Sequence, residues 1–208
     1  MGRQVSPVCR LCRREGTKLF LKGSRCDTPK CAVERRQSAP GMSTGRRGKP
    51  TEYSEHLREK QKVKRYYGVM ERQFRKYFDI ASRGKGNTGD ALLVLLERRL
   101  DNVVHRMGMG QSRAQSRLFV GHGHVTVNGR LVNIPSYLVR PGDIIRVKGR
   151  EKSQNLAQGN RAANTRQIPD FLSVPDGPDF EGHVMRLPEP GDVSIPVRTQ
   201  LIVELCSK

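Results

Sequence analysis

Four cysteines near the N-terminus constrain this chain more than any other feature. Cys9, Cys12, Cys26 and Cys31 follow the spacing C-x2-C-x13-C-x4-C. Tetrahedral zinc needs four thiolates or imidazoles, and each closely spaced pair serves as a two-toothed clamp. The intervening spacer can form a loop or hairpin that brings the clamps together. Gly16 and Gly23 help it turn, and Pro29 limits regular structure beside the second pair. The segment is too short to bury a core of its own, so the expected cofactor is one structural Zn2+. Four protein ligands leave no open position for a catalytic water. Arg10, Arg13, Arg14, Arg25 and Lys30 would offset the negative charge of four thiolates and leave the knuckle basic outside. An iron–sulfur cluster is the second choice, since four cysteines also suit it. Disulfides are disfavoured in a reducing compartment, and a redox Cys-x-x-Cys lacks its βαβ surroundings. Cys206 lies far away in an apolar stretch read as a strand, and is expected to be a core residue.

Charge narrows the partner. The 208 residues hold 39 Lys and Arg against 20 Asp and Glu, a net charge of +19. Residues 1–50 carry +10, residues 51–90 carry +4, residues 91–150 carry +7, and residues 151–208 carry −2. An excess confined to part of the chain fits a polyanion footprint better than general solubility. The longest apolar run spans residues 91–96. A spanning helix needs about twenty residues, so no membrane partner is expected. The N-terminus has no apolar core of a signal peptide, and a cytoplasmic protein is expected.

The organisation reads as four parts. Residues 1–50 hold the cysteine knuckle and a Pro-, Gly- and Arg-containing arm. Residues 51–90 form a helical domain. Residues 91–150 form a compact α+β module, and 151–189 extend it. Thr51 can cap a helix that ends at Gly68. Met70, Phe74, Tyr77, Phe78 and Ala81 form one apolar face of a second helix. A third helix is predicted over 90–107 from Leu93, Leu96, Leu100, Val103, Val104 and Met107. Ser112 and Gln115 make a capping-box pattern for a fourth, ending near Gly121. Asn128-Gly129 signals a hairpin in which Val125, Val127, Val132 and Ile134 share a face. A strand follows at 143–148. Beyond it the sequence gives a weak helix near 154–165 and strands at 180–187 and 201–205.

Arg113 and Arg117 are four apart and share a face near a helix start, an end that attracts phosphate. His122 and His124 follow at the junction with the hairpin, and Arg130 sits at its tip. Alternatively, the arginines form a solvated face and the histidines cap or pack, and the residues alone leave both readings open.

Glu97-Arg-Arg-Leu-Asp-Asn-Val-Val-His-Arg-Met107, Ser112-Arg113, His122-Gly-His-Val-Thr-Val-Asn-Gly129 and Pro141-Gly-Asp143 closely resemble the S-four RNA-binding domain. Pro7-Val-Cys-Arg-Leu-Cys-Arg-Arg14, Leu57-Arg-Glu-Lys-Gln-Lys62 and Glu71-Arg-Gln-Phe-Arg75 extend the likeness. They resemble the zinc-bearing form of the bacterial small-subunit ribosomal protein S-four family. The resemblance implies an α+β fold: a zinc knuckle and a helical domain of residues 51–90, completed by about 190–208, bearing a helix-helix-hairpin RNA-binding domain. It implies a ribosomal constituent that binds the 16S rRNA 5′ domain, nucleates its assembly and contributes to decoding accuracy. Implied neighbours are ribosomal proteins including protein S-five, and mRNA near the channel by which it enters. Departures are modest: Ser116 stands where Ala is usual, and Leu205-Cys206-Ser-Lys208 replaces a more aromatic ending.

Residues expected at RNA in the knuckle and arm are Arg3, Arg10, Arg13, Arg14, Lys22, Arg35, Arg36, Arg46, Arg47 and Lys49. The first two helices add Arg58, Lys62, Arg65 and Arg72. The module adds Ser112, Arg113, Gln115, Arg117, His122, His124 and Arg130. Two rivals stand beside this reading. Arg99-Leu100-Asp101 resembles the catalytic triplet of pseudouridine synthases, although it lies in a leucine-rich helix with no separate catalytic domain. A free mRNA-binding translational regulator is the other. No catalytic residue is expected.

Overall fold

A computed structural model describes residues 6–42, 49–175, 177 and 180–207. The chain divides into two compact units, Met1–Leu92 with Ile195–Lys208, and Leu93–Ser194.

The first unit is helical. Helix α1 (Val8–Glu15) follows Pro7 and stops at Gly16, whose φ of +68° is the left-handed conformation that glycine tolerates. A 3₁₀ turn (Gly23–Asp27) and the short α2 (Ala32–Arg35) complete the cysteine segment. Helix α3 (Glu52–Tyr66) starts as predicted, with Thr51 Oγ1 accepting from the Ser54 N–H at 3.3 Å. Its ends suit the helix dipole, with Glu52 and Glu55 first and Lys64 and Arg65 last. Helix α4 (Glu71–Ser82) buries Phe74, Tyr77, Phe78 and Ala81. Met70, expected on that face, is instead the extended residue before the helix and is largely exposed.

The apolar stretch read as a strand over 201–205 is helical, in α9 (Thr199–Ser207). The helix packs against α3 and buries Ile202 at 1% exposure. Among the described residues of this unit there is no strand for a β segment to pair with, so a helix satisfies its backbone. Cys206 therefore sits half-buried on a helix rather than in a strand.

The long helix predicted over 90–107 is two helices, α5 (Thr88–Glu97) and α6 (Leu100–Arg106). The break is at Arg99, which is extended (φ −67°, ψ 135°). The returning segment 135–139 causes it. Leu100 N–H donates to Tyr137 O at 2.8 Å, Asp101 N–H to Pro135 O at 3.1 Å, and Val139 N–H to Arg98 O at 2.9 Å. Backbone groups freed at the break thus find partners across the chain.

The second unit is α+β. Helix α7 (Arg113–Gly121) is capped by Ser112, whose hydroxyl accepts from the Gln115 N–H at 3.3 Å. Strands β1 (Val125–Val127) and β2 (Arg130–Leu131) meet at the predicted turn, where Asn128 has φ +50° and Gly129 φ +78°. The Asn128 side chain fixes the corner, donating to Asp143 Oδ1 at 2.9 Å and accepting from the Ile144 N–H at 2.8 Å. Strand β3 (Ile144–Val147), helix α8 (Glu151–Ala162), β4 (Leu172–Ser173) and β5 (Glu181–Val184) follow. The strands form one antiparallel sheet in the order β2-β1-β3-β5-β4.

Alternate residues Val125, Val127, Ile145, Val147 and Val184 turn inward onto Leu100, Val103, Met107 and Phe119. A Cβ on Gly182 would come within 2.6 Å of Met107 Sδ, so a side chain there would require the end of Met107 to shift. Ile134, expected on the inner face, is exposed, because pairing ends before it and the chain turns toward Pro135.

Candidate nucleic-acid interface

The motif residues of the second unit build a buried polar brace. Glu97 is fully buried and accepts from Asn102 Nδ2 at 2.6 Å and from Arg106 Nη2 at 2.9 Å. The Asn102 Oδ1 accepts from Arg113 Nε at 2.8 Å. Asp101 accepts from Arg99 at 3.0 and 2.6 Å and from Arg117 Nη1 at 3.0 Å. Charges this deep persist only when paired and hydrogen-bonded. The brace ties the α5–α6 break to α7.

Several residues expected at RNA belong to this framework. Arg113 is buried, and Arg117 is committed to Asp101. Ser112 caps α7, and Gln115 accepts from the Gln111 N–H at 2.8 Å and donates to Asn160 Oδ1 at 3.2 Å. His122 and Arg130 are exposed. His124 stacks on Phe119 with ring centroids 4.9 Å apart, and its Nδ1 lies 2.8 Å from Ser153 Oγ.

In the first unit, Cys9 and Cys12 lie on α1, Cys26 in the 3₁₀ turn and Cys31 at the start of α2. Cys12, Cys26 and Cys31 are buried, and none of the four is joined in a disulfide. Among the described residues, no group of three or more Cys, His, Asp or Glu side chains is arranged as a ready metal site. The donor set nonetheless suits a soft cation. Cys26 Sγ accepts the Lys22 N–H at 3.4 Å, a bond that favours thiolate. Burial pushes the Cys12 and Cys26 thiols up, and the neighbouring thiols push them further, a penalty that a bound cation would reverse.

Glu15, at the end of α1, ties the cysteine segment to α3. Its buried carboxylate pairs with Arg65 and, at 3.5 Å, with Arg58. Lys62 pairs with Glu59 at 2.6 Å and donates to Pro196 O at 3.3 Å. These three α3 cations, expected at RNA, thus also hold the unit together. Arg13 donates to the carbonyls of Ser38 and Ala39, fixing the start of the arm. Arg10, Arg14, Lys22, Arg35, Arg36, Lys49 and Arg72 are exposed. Arg3, Arg46 and Arg47 lie outside the described residues.

Residues 3–97 match the family described as Ribosomal protein S4/S9 N-terminal domain, and residues 98–145 match the S4 domain. Small ribosomal subunit protein uS4A of Symbiobacterium thermophilum is 54% identical over 208 residues, covering all of both chains. Small ribosomal subunit proteins uS4 of Thermoanaerobacter sp. and Thermus thermophilus are each 52% identical, again over the whole of both chains. The chain belongs to the uS4 family.

A uS4 protein is a ribosomal constituent, so the resemblance of Arg99-Leu100-Asp101 to a synthase triplet carries no catalysis. Asp101 is spent between two guanidinium groups instead. What the uS4 motif encodes here is largely support: Glu97, Asp101 and Asn102 are each no more than 4% exposed. Sequence reasoning missed Glu97, Asn102, Ser153 and Asn160 as working residues. The signal was available for Asn102 and Glu97, which are polar residues inside a leucine stripe and need buried partners.

Proposed function

We propose that the chain is a non-catalytic structural constituent of the small ribosomal subunit that binds the 5′ domain of 16S rRNA at a multi-helix junction and nucleates its assembly. The observation carrying this reading is a division of labour among cations. Arg10, Arg14, Lys22, Arg35, Arg36, Lys49 and Arg72 stand exposed on the first unit, while the polar motif residues of the second are buried as a brace. Exposed guanidinium and ammonium groups neutralise phosphates and release counterions. Within the first unit the Glu15 pairs with Arg58 and Arg65 tie the cysteine segment to α3 and so help hold the spacing of these cations. Folded RNA is read through phosphates and 2′-hydroxyls more than base edges. Protein S-five and mRNA near its entrance are the proposed neighbours, with an effect on decoding accuracy, and the ribosome is the proposed site of action. Among the described residues no helix is long and apolar enough to cross a membrane.

One structural Zn2+ on Cys9, Cys12, Cys26 and Cys31 is part of this reading. Bound there, the ion would supply positive charge and a covalent-strength link between α1 and the 3₁₀ turn. The chain's own residues do the rest: Glu15 docks the segment on α3, and the exposed arginines face outward.

A footprint of the full chain on the 16S rRNA 5′ domain tests the reading. Protection clustered at a helix junction is expected, reduced when residues 1–50 are removed. No protection at low salt would overturn it. Native mass spectrometry tests the ion: one zinc is expected, lost in Cys26→Ser, and full zinc retention in that variant would refute the ligand set.

A further inference from the structure

The corner between α7 and β1 carries a hydrogen bond whose direction can be deduced. Ser153 is 2% exposed, and among the described residues its hydroxyl has one partner, His124 Nδ1, at 2.8 Å. If His124 donated from Nδ1, the buried hydroxyl proton would have no acceptor, a cost of about 1–3 kcal/mol. If Ser153 donates, both groups are satisfied. Nδ1 is then the acceptor, and the ring proton of neutral imidazole resides on Nε2.

The ring is fixed in other ways as well. It stacks on Phe119 with planes 16° apart, and the His124 carbonyl accepts the Lys148 N–H at 2.8 Å. Among the described residues no group bonds Nε2, and the residue is part-exposed. The groups facing the ring are His122 at the end of α7, Lys148 after β3 and Arg150 before α8. Two permanent cations, Lys148 and Arg150, therefore lie close enough to act on this ring.

We infer that Ser153 is a positioning residue that locks His124 as the Nε2–H tautomer, and that His124 donates this hydrogen to a backbone phosphate oxygen of the bound RNA. The inference rests on the proposed RNA-binding function. A neutral donor of this kind acts the same across the physiological pH range, and the flanking cations draw the phosphate to it. Burial and the neighbouring charges hold His124 below the usual histidine range, which agrees with a neutral ring.

The experiment has two arms on the full chain. Long-range ¹H–¹⁵N spectra of free protein report the tautomer directly. The Nε2–H form is expected for His124, and Ser153→Ala should mix the tautomers and move the His124 titration upward. A ring protonated on Nδ1, or one unchanged by Ser153→Ala, overturns the inference. The second arm measures binding to a 16S rRNA 5′-domain transcript. His124→Phe keeps the stack but removes the donor and should weaken binding about tenfold, the scale of a hydrogen bond to a charged group. His124→Gln, which places an N–H₂ near Nε2, should recover most of that loss. In Ser153→Ala, binding should gain a pH dependence between about pH 6 and 8 that the unaltered chain lacks. If His124→Phe binds as the unaltered chain does, the inference fails while the function stands. If the unaltered chain ignores the transcript, the proposed function itself fails.

Discussion

Arg113 donates its Nε–H to Asn102 Oδ1 at 2.8 Å, across 11 residues of sequence and with both residues buried. That bond joins α7 to α6 and completes a chain of contacts running from Arg106 through Glu97. Removing its centre should be costly. Asn102→Ala strips partners from a buried carboxylate and a buried guanidinium together, and should lower unfolding free energy by about 3 kcal/mol. Urea denaturation measures it, and a loss under about 1 kcal/mol would show that the brace relaxes freely.

The same burial separates two classes of arginine. Arg113→Ala should reduce stability, with RNA affinity falling only as far as the fold is lost. Arg35→Glu combined with Arg36→Glu should do the opposite: an unchanged denaturation midpoint with RNA affinity at least tenfold weaker, as reversal of exposed phosphate-facing charges requires. Urea titration alongside filter binding distinguishes them. Equal effects on stability from both changes would contradict the assignment.

Much of the fold could be read from local pattern, and the exceptions share one cause. Helices α3 and α4 and the Asn128-Gly129 hairpin are set by capping, apolar period and turn chemistry, all short-range. The break at Arg99 is set by residues 135–139, which no local window contains. Helix α9 was read as a strand because Leu201, Ile202 and Val203 form a short apolar run that suits either element until a packing partner is known. Helix α1 escaped notice because Cys9 and Cys12 read first as ligands. The exposed cations were legible from charge alone. The commitment of Arg113 and Arg117 to the interior was not, because their partners lie upstream in a different helix.

Acid should weaken the fold through His105. Burial, with repulsion from Arg113, Arg166 and Arg106, holds its pKa to about 3, against the bond to Gly110 O that favours the charged ring. The unfolded chain takes up this proton near the ordinary value of 6.5. Between those limits the unfolded state binds more protons, so stability falls as pH drops from 6.5 toward 3. His105→Gln should flatten that part of the pH profile of the urea midpoint. An unchanged slope would contradict the sign or the residue.

Ser116 offers a stabilising change. Its hydroxyl is fully buried with no hydrogen-bond partner among the described residues, beside Gly110, where an added Cβ would come within 2.2 Å of it. Ser116→Ala removes an unsatisfied group and should raise unfolding free energy by about 1 kcal/mol. A thermal melt higher by a few degrees is expected, and a lower one would mean the hydroxyl has a partner in solution.

The central claim is that the exposed cations of the first unit bind folded rRNA through its phosphates. Its most direct measurement is the affinity of the full chain for the 16S rRNA 5′ domain as a function of salt. The account predicts a linear fall of log affinity with log salt, amounting to roughly three orders of magnitude between about 50 and about 200 mM. An affinity that holds steady over that range would contradict it.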